Sequence, residues 1–213
     1  MYFDYGKPIK ESIVYPIGKY LADFFAPFVY DISCYGRENI PYDGAVIIAG
    51  NHISFSDPAV IIANCPRRVF YMAKSELFEK RLMAFFMRSM NAFPVRRGAS
   101  DRNALRFAET ILREGYALGI FPEGRTVKEL IPTEAKTGVA YLAYKTGADV
   151  VPVCIYRDPR DERKRHSLVV RFGEVIPNGK LFHGENGRSE SIKVAADFIM
   201  NEIKKMWEEE HCR

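Results

Sequence analysis

NHISFSDP, residues 51–58, places His52 and Asp57 five positions apart. On a continuous helix that offset rotates by roughly 140°, so the two side chains would diverge. They meet only if the segment turns, and a strand ending at His52 followed by a helix opened by Asp57 and Pro58 supplies the turn. A carboxylate beside an imidazole fixes its tautomer and stabilises its charged form, as in hydrolytic triads. An imidazole with an unperturbed pKa of about 6.5 can then take a proton from a hydroxyl near neutral pH. Asp57 also has a simpler use, as the N-cap of the helix. The spacing leaves both open.

Three further strings end apolar runs with unusual residues. FPVRRG, residues 93–98, carries Arg96 and Arg97 before Gly98. Guanidinium forks match phosphate oxygens in pairs, so such a strand end suits an anion; a surface turn with two solvated arginines is the plainer alternative. FPEGRT, residues 121–126, follows the run ALGIF. There Pro122 removes a backbone donor, Glu123 sets a charge at a strand end, and Gly124 lets a ligand approach the backbone closely. VVPVCI, residues 150–155, has Pro152 in mid-run, which marks an edge, a bulge or the wall of a site.

The elements that must hold these residues alternate. Strands are expected at 45–50, 69–73, 92–95, 117–121, 150–155 and 167–172. Helices are expected at 58–64, 75–80, 81–90, 103–114, 137–146 and 190–210. This order predicts an α/β domain with a largely parallel or mixed central sheet flanked by helices, its sites gathered at the carboxyl ends of the strands. LMAFFM, residues 82–87, reads as core more readily than as lining for an acyl chain. The first 34 residues differ in texture. Ile13, Ile17, Leu21, Phe24, Phe28 and Ile32 recur at helical steps, with Pro16 and Pro27 breaking the run, so residues 1–34 read as an amphipathic helix pair ahead of the domain at 35–213. Packing on the core and lying in a membrane interface are both open to it.

Composition bounds the rest. The chain has 213 residues, 47% of them hydrophobic, which excludes a disordered protein and allows a substantial core. The longest stretch free of charged residues, 44–56, falls short of the roughly 20 apolar residues of a spanning helix. A net charge of +4 is too mild to indicate nucleic acid as a partner. The charge is uneven, however: residues 80–102 hold six basic side chains against Asp101, a local excess that favours an anionic partner such as a phosphate or a lipid head group. Cys34, Cys65, Cys154 and Cys212 form no CxxC pair, which argues against a zinc ribbon or a disulfide framework and for a reducing compartment.

Taken together and in this order, the four strings resemble the glycerolipid acyltransferase family, in particular its lysophosphatidic acid acyltransferases, over about residues 35–175. His52 and Asp57 match the family's catalytic His-four-residues-Asp motif. Arg97 matches the arginine of its second motif, residues 121–124 its third and residues 151–153 its fourth. Family members often carry an acid where Arg96 stands, and often read Thr-Arg where this chain has Arg125-Thr126. Lys136 and Gly138 look like the Lys-x-Gly that tends to follow the third motif. The resemblance implies acyl transfer from a thioester, acyl-coenzyme A or acyl carrier protein, to the sn-2 hydroxyl of lysophosphatidic acid. It implies His52 and Asp57 as the catalytic pair, and Arg97, Glu123, Gly124, Arg125 and Lys136 at the substrate phosphate. Neither a metal nor a resident cofactor is expected. A phospholipid surface is the expected partner, with the protein peripheral on the cytoplasmic face and no transmembrane span. Acylation of glycerol 3-phosphate or another lysophospholipid is the close alternative. A thioesterase or lipase is the more distant one, since no G-x-S-x-G elbow is present.

Overall fold

The run at residues 45–50 becomes the central strand of a seven-stranded sheet. The computed structural model describes residues 31–96, 101–127, 131–158, 167–182 and 188–211, with Tyr5, residues 15–17, 19–20 and Phe24. Its strands are β1 (Asp31–Tyr35), β2 (Val46–Gly50), β3 (Val69–Lys74), β4 (Ala92–Val95), β5 (Ala117–Ile120), β6 (Asp149–Arg157) and β7 (Ser167–Phe172). Helices α1 (Asp57–Asn64), α2 (Arg81–Ser89), α3 (Arg102–Arg113), α4 (Gly138–Thr146), the short α5 (Asn178–Leu181) and α6 (Arg188–His211) flank them. The order across the sheet is β1-β7-β6-β2-β5-β3-β4. From β6 to β4 all neighbours are parallel; β6 and β7 are antiparallel, and β1 runs parallel to β7. The sheet is mixed, as expected of this alternation.

Every residue of β2 is buried, because both faces of the sheet are covered. Alternation then sorts the side chains. Ile47 and Ala49 face one core with Ile111 and Leu112 of α3, Leu142 of α4 and Ile199 of α6. Val46 and Ile48 face a second core with Val60, Ile61 and Ile62 of α1. Pro152 sits at a bulge. Val153 pairs with Phe172 and Val150 bridges to Ile176, so two residues of β6 oppose three beyond β7. Gly173 is required beside it, since a Cβ there would lie 2.9 Å from the Pro152 ring.

Three expectations need correction. The helical spacing that runs on to Ile32 is misleading: residues 31–35 form β1, paired residue for residue with β7, so the sheet begins before residue 35. The helix expected at 75–80 is a 3-10 turn, Ser75–Phe78. LMAFFM is not core, because α2 buries Ala84 and Met87 while Leu82, Phe85 and Phe86 are exposed. Most of the N-terminal helix pair lies outside the described residues. Within it, residues 15–17, 19–20 and Phe24 are helical. Tyr15 is buried in the α1-side core, while Ile17, Tyr20 and Phe24 face outward. Among the described residues, no helix is long and apolar enough to cross a membrane.

Candidate active site

Strand β2 delivers its chain to the carboxyl edge of the sheet and stops at Gly50, where polar side chains take over from the backbone ladder. Asn51 is buried. Its amide donates to the Ile155 carbonyl at 2.8 Å and accepts from the Ile155 N–H at 2.7 Å, binding the end of β2 to β6 beyond the last strand pair. The next residue is His52. Its N–H donates to Glu123 Oε2 at 2.8 Å, and its carbonyl accepts from Val127 N–H at 2.7 Å. The backbone of the imidazole-bearing residue is therefore held from both sides.

The turn required by the five-residue offset is present. Asp57 is fully buried, and its Oδ2 lies 2.9 Å from His52 Nδ1. The same oxygen accepts from the N–H groups of Ile53 and Ser54, each at 2.7 Å. These bonds all run back to the 52–54 loop, so the simple N-cap use of Asp57 gives way to loop closure; Ser56 holds the cap position of α1. A carboxylate oxygen only accepts, so Nδ1 carries the proton, and the neutral imidazole has its lone pair at Nε2. The ring is fixed on its face as well. Phe121 stacks on His52 with centroids 4.2 Å apart, and Tyr71 stacks behind Phe121 at 5.9 Å. Gly119 makes room for that stack, since a Cβ there would fall 2.1 Å from the Tyr71 ring. Burial holds the Tyr71 hydroxyl well above its ordinary pKa, so it stays a neutral phenol.

FPEG forms a turn in which Gly124 N–H donates to the Phe121 carbonyl at 2.9 Å. Proline second and glycine fourth is the favoured order for such a turn, and Gly124 takes a φ of 67°. The turn points Glu123 inward. Its Oε1 accepts from Thr133 N–H at 2.8 Å and Thr133 Oγ at 3.1 Å, while Oε2 accepts from His52 N–H. The resemblance places Glu123 at the substrate phosphate; in the structure both oxygens of its buried carboxylate accept from protein donors, which tie the His52 loop to the 131–133 loop. Lys136 extends over Gly124, where a Cβ would meet its Nζ at 2.9 Å, and its N–H donates to the Pro122 carbonyl at 2.8 Å. The side chains of Lys136 and Arg125 are exposed at this rim.

Arg97 lies outside the described residues. Its neighbour Arg96 follows β4 with its N–H donated to Asp101 Oδ2 at 3.0 Å. The other oxygen of Asp101 caps α3 through Ala104 N–H at 3.1 Å. Asn51, Thr133 and Asp101 are the positioning residues that sequence reasoning missed, and Phe121 is read there only as part of the third motif, without its stacking on His52. Asn51 alone left a signal, as a polar residue closing an otherwise apolar strand. Burial raises the thiol pKa of Cys34, Cys65 and Cys154, so each stays protonated at neutral pH and none is an activated nucleophile.

The family model described as Acyltransferase matches residues 31–156, from the start of β1 almost to the end of β6. A 1-acyl-sn-glycerol-3-phosphate acyltransferase of Bacillus subtilis (strain 168) is 29% identical over 156 residues, covering 71% of this chain and 77% of the relative. One of the same name from Borreliella burgdorferi is 33% identical over 123 residues, 57% of this chain and 49% of the relative. The crystal structure of PlsC, the 1-acyl-sn-glycerophosphate acyltransferase of Thermotoga maritima, superposes with a TM-score of 0.73 at 23% identity, over 93% of this chain and 80% of that one, which shows a shared fold. With more than half its length matched and the His52–Asp57 pair assembled at the sheet edge, this chain belongs to the Acyltransferase family.

Proposed function

We propose that the protein transfers a fatty acyl group from an acyl thioester to the sn-2 hydroxyl of lysophosphatidic acid, giving phosphatidic acid. The names borne by the relatives support this acceptor, and the observation that carries the chemistry is the 2.9 Å contact between His52 Nδ1 and Asp57 Oδ2. With Nδ1 protonated towards Asp57, Nε2 accepts the proton of the acceptor hydroxyl as its oxygen attacks the thioester carbonyl. The tetrahedral intermediate expels the thiolate by breaking the C–S bond. The imidazolium then returns its proton to sulfur, or the thiolate leaves unassisted. Attack by the acceptor itself needs no enzyme nucleophile.

The substrate phosphate in this reading is held by basic side chains from two sides of the sheet edge. Strands β2 and β4 are three places apart in the sheet, roughly 14 Å at about 4.8 Å per strand. Arg97, which the family resemblance assigns to the second motif, is the proposed phosphate ligand from the β4 side. Arg125 and Lys136 complete the anion site from the FPEG side. The protein works as a peripheral enzyme on the cytoplasmic face of a membrane, where its amphiphilic substrates reside, and the exposed Ile17, Tyr20 and Phe24 favour contact with lipid.

The decisive assay incubates purified protein with labelled lysophosphatidic acid and, in turn, acyl-coenzyme A and acyl carrier protein thioester, and measures the diacyl product. His52→Ala should abolish product while leaving the circular dichroism spectrum unchanged; substantial turnover by that variant would refute the base assignment. Replacing the acceptor with glycerol 3-phosphate separates the nearest alternative. Thiol release that does not depend on any lysolipid would point to a thioesterase.

A further inference from the structure

We propose that the outward face of α2 is a membrane-docking surface whose occupant is an anionic phospholipid leaflet. Leu82, Phe85 and Phe86 stand at i, i+3 and i+4 and are 82%, 59% and 50% exposed. Helices on a water-facing surface normally put their apolar stripe inward and charge outward. Here the opposite face already holds α2 to the body through Ala84 and Met87, so the exposed stripe is an additional apolar surface.

Charge selects the occupant. From residue 80 to residue 100 the chain has five basic side chains, Lys80, Arg81, Arg88, Arg96 and Arg97, and no acid. Lys80 and Arg81 are exposed at the start of α2. The nearest acids precede the helix. Glu76 is paired with Lys74 at 2.9 Å, which with the Ser75 hydroxyl lowers its pKa to about 2, and Glu79 stands exposed one residue before Lys80. An apolar stripe entered through basic residues is the pattern of an interfacial helix on anionic lipid.

Position supplies a second, independent reason. α2 follows β3, which runs parallel to β5 and β4, so it leaves the sheet at the same edge as His52 and the FPEG turn. Two loops at that edge also expose a large apolar side chain. Phe55, between His52 and Asp57, is 65% exposed, and Ile131 precedes the Thr133 that holds Glu123. Seating α2 in the head-group layer therefore turns the edge that carries the reacting imidazole towards the leaflet holding the lysolipid.

The inference rests on the lipid-substrate reading above, and its test is independent of turnover. Phosphatidylcholine vesicles with and without phosphatidylglycerol are sedimented with the intact chain and with a variant carrying Leu82→Asn, Phe85→Asn and Phe86→Asn. The variant should lose vesicle binding about tenfold or more, while its turnover of a short-chain, monomeric lysophosphatidic acid stays unchanged. In parallel, Phe85→Trp is read against Trp207, the only native tryptophan, on α6. Brominated lipid should quench the Phe85→Trp emission and spare that of Trp207. Undiminished binding by the triple variant, or an unquenched Phe85→Trp in vesicle-bound protein, would overturn the proposal. Equal binding with and without phosphatidylglycerol would overturn its anionic part, and no binding by the intact chain would overturn all of it. Absence of transfer in detergent micelles would instead sink the enzymatic reading and leave the docking result standing.

Discussion

Asp57 Oδ2 accepts from His52, Ile53 and Ser54, so one oxygen both orients the imidazole and closes its loop. Asp57→Asn places an amide where an acceptor is needed, and the other tautomer of His52 becomes available. Transfer should fall by about a hundredfold or more, with stability lowered by roughly 1–3 kcal/mol; steady-state kinetics and thermal unfolding would show both. Glu123→Gln discriminates a strut from a substrate contact. One of the N–H groups it now serves would face an NH₂, so stability should drop by about 1–3 kcal/mol, and kcat should fall while KM for the acceptor stays put. A marked rise in acceptor KM would place Glu123 at the phosphate. His52 and Asp57 were legible in sequence because their chemistry is particular to residue type and their spacing demands a turn. The partners of Glu123 were not, because two of the three are backbone N–H groups, which every residue but proline possesses and only the fold selects.

Among the elements, the stack Tyr71–Phe121–His52 carries the position of a core strand out to the reacting ring. Gly119→Ala should therefore cost more than an exposed glycine would. With its Cβ 2.1 Å from an aromatic carbon, Tyr71 must move. The overpacking penalty of about 1–3 kcal/mol corresponds to a Tm lowered by roughly 2–12 °C for a chain of this size. Activity should fall with it, because the stack shifts under His52; an unchanged Tm and rate would show that the ring is not propped in this way. Gly124→Ala offers a contrast. Its φ of 67° carries a left-handed penalty of about 1–2 kcal/mol, but the obstructing group is the flexible end of Lys136. Most strands were readable, since a doubly covered strand is an unbroken apolar run. β1 was not, because DISCY is a half-exposed edge strand whose apolar residues continue a helical rhythm, and its partner β7 lies more than a hundred residues away.

On the scale of the whole molecule, chain order and spatial order differ most at the β1–β7–β6 side, where the first strand, the last strand and α6 assemble. A chain beginning at Asp31 keeps all seven strands. One beginning at Gly36 loses β1 and uncovers the edge of β7, so it should unfold at a distinctly lower temperature or aggregate; equal stability of the two would mean that β1 is dispensable. The described N-terminal residues reach widely separated parts of the body. The Tyr5 hydroxyl donates to the Pro94 carbonyl beside the arginine-bearing strand end, and Lys19 Nζ donates to the Ile62 and Ala63 carbonyls at the far end of the helix that begins with Asp57. His52 is clamped at its backbone N–H, its backbone carbonyl, its ring Nδ1 and one ring face by groups from separate parts of the chain. Such a vertex is set before any reactant arrives, so the ring needs no reordering when a hydroxyl approaches Nε2.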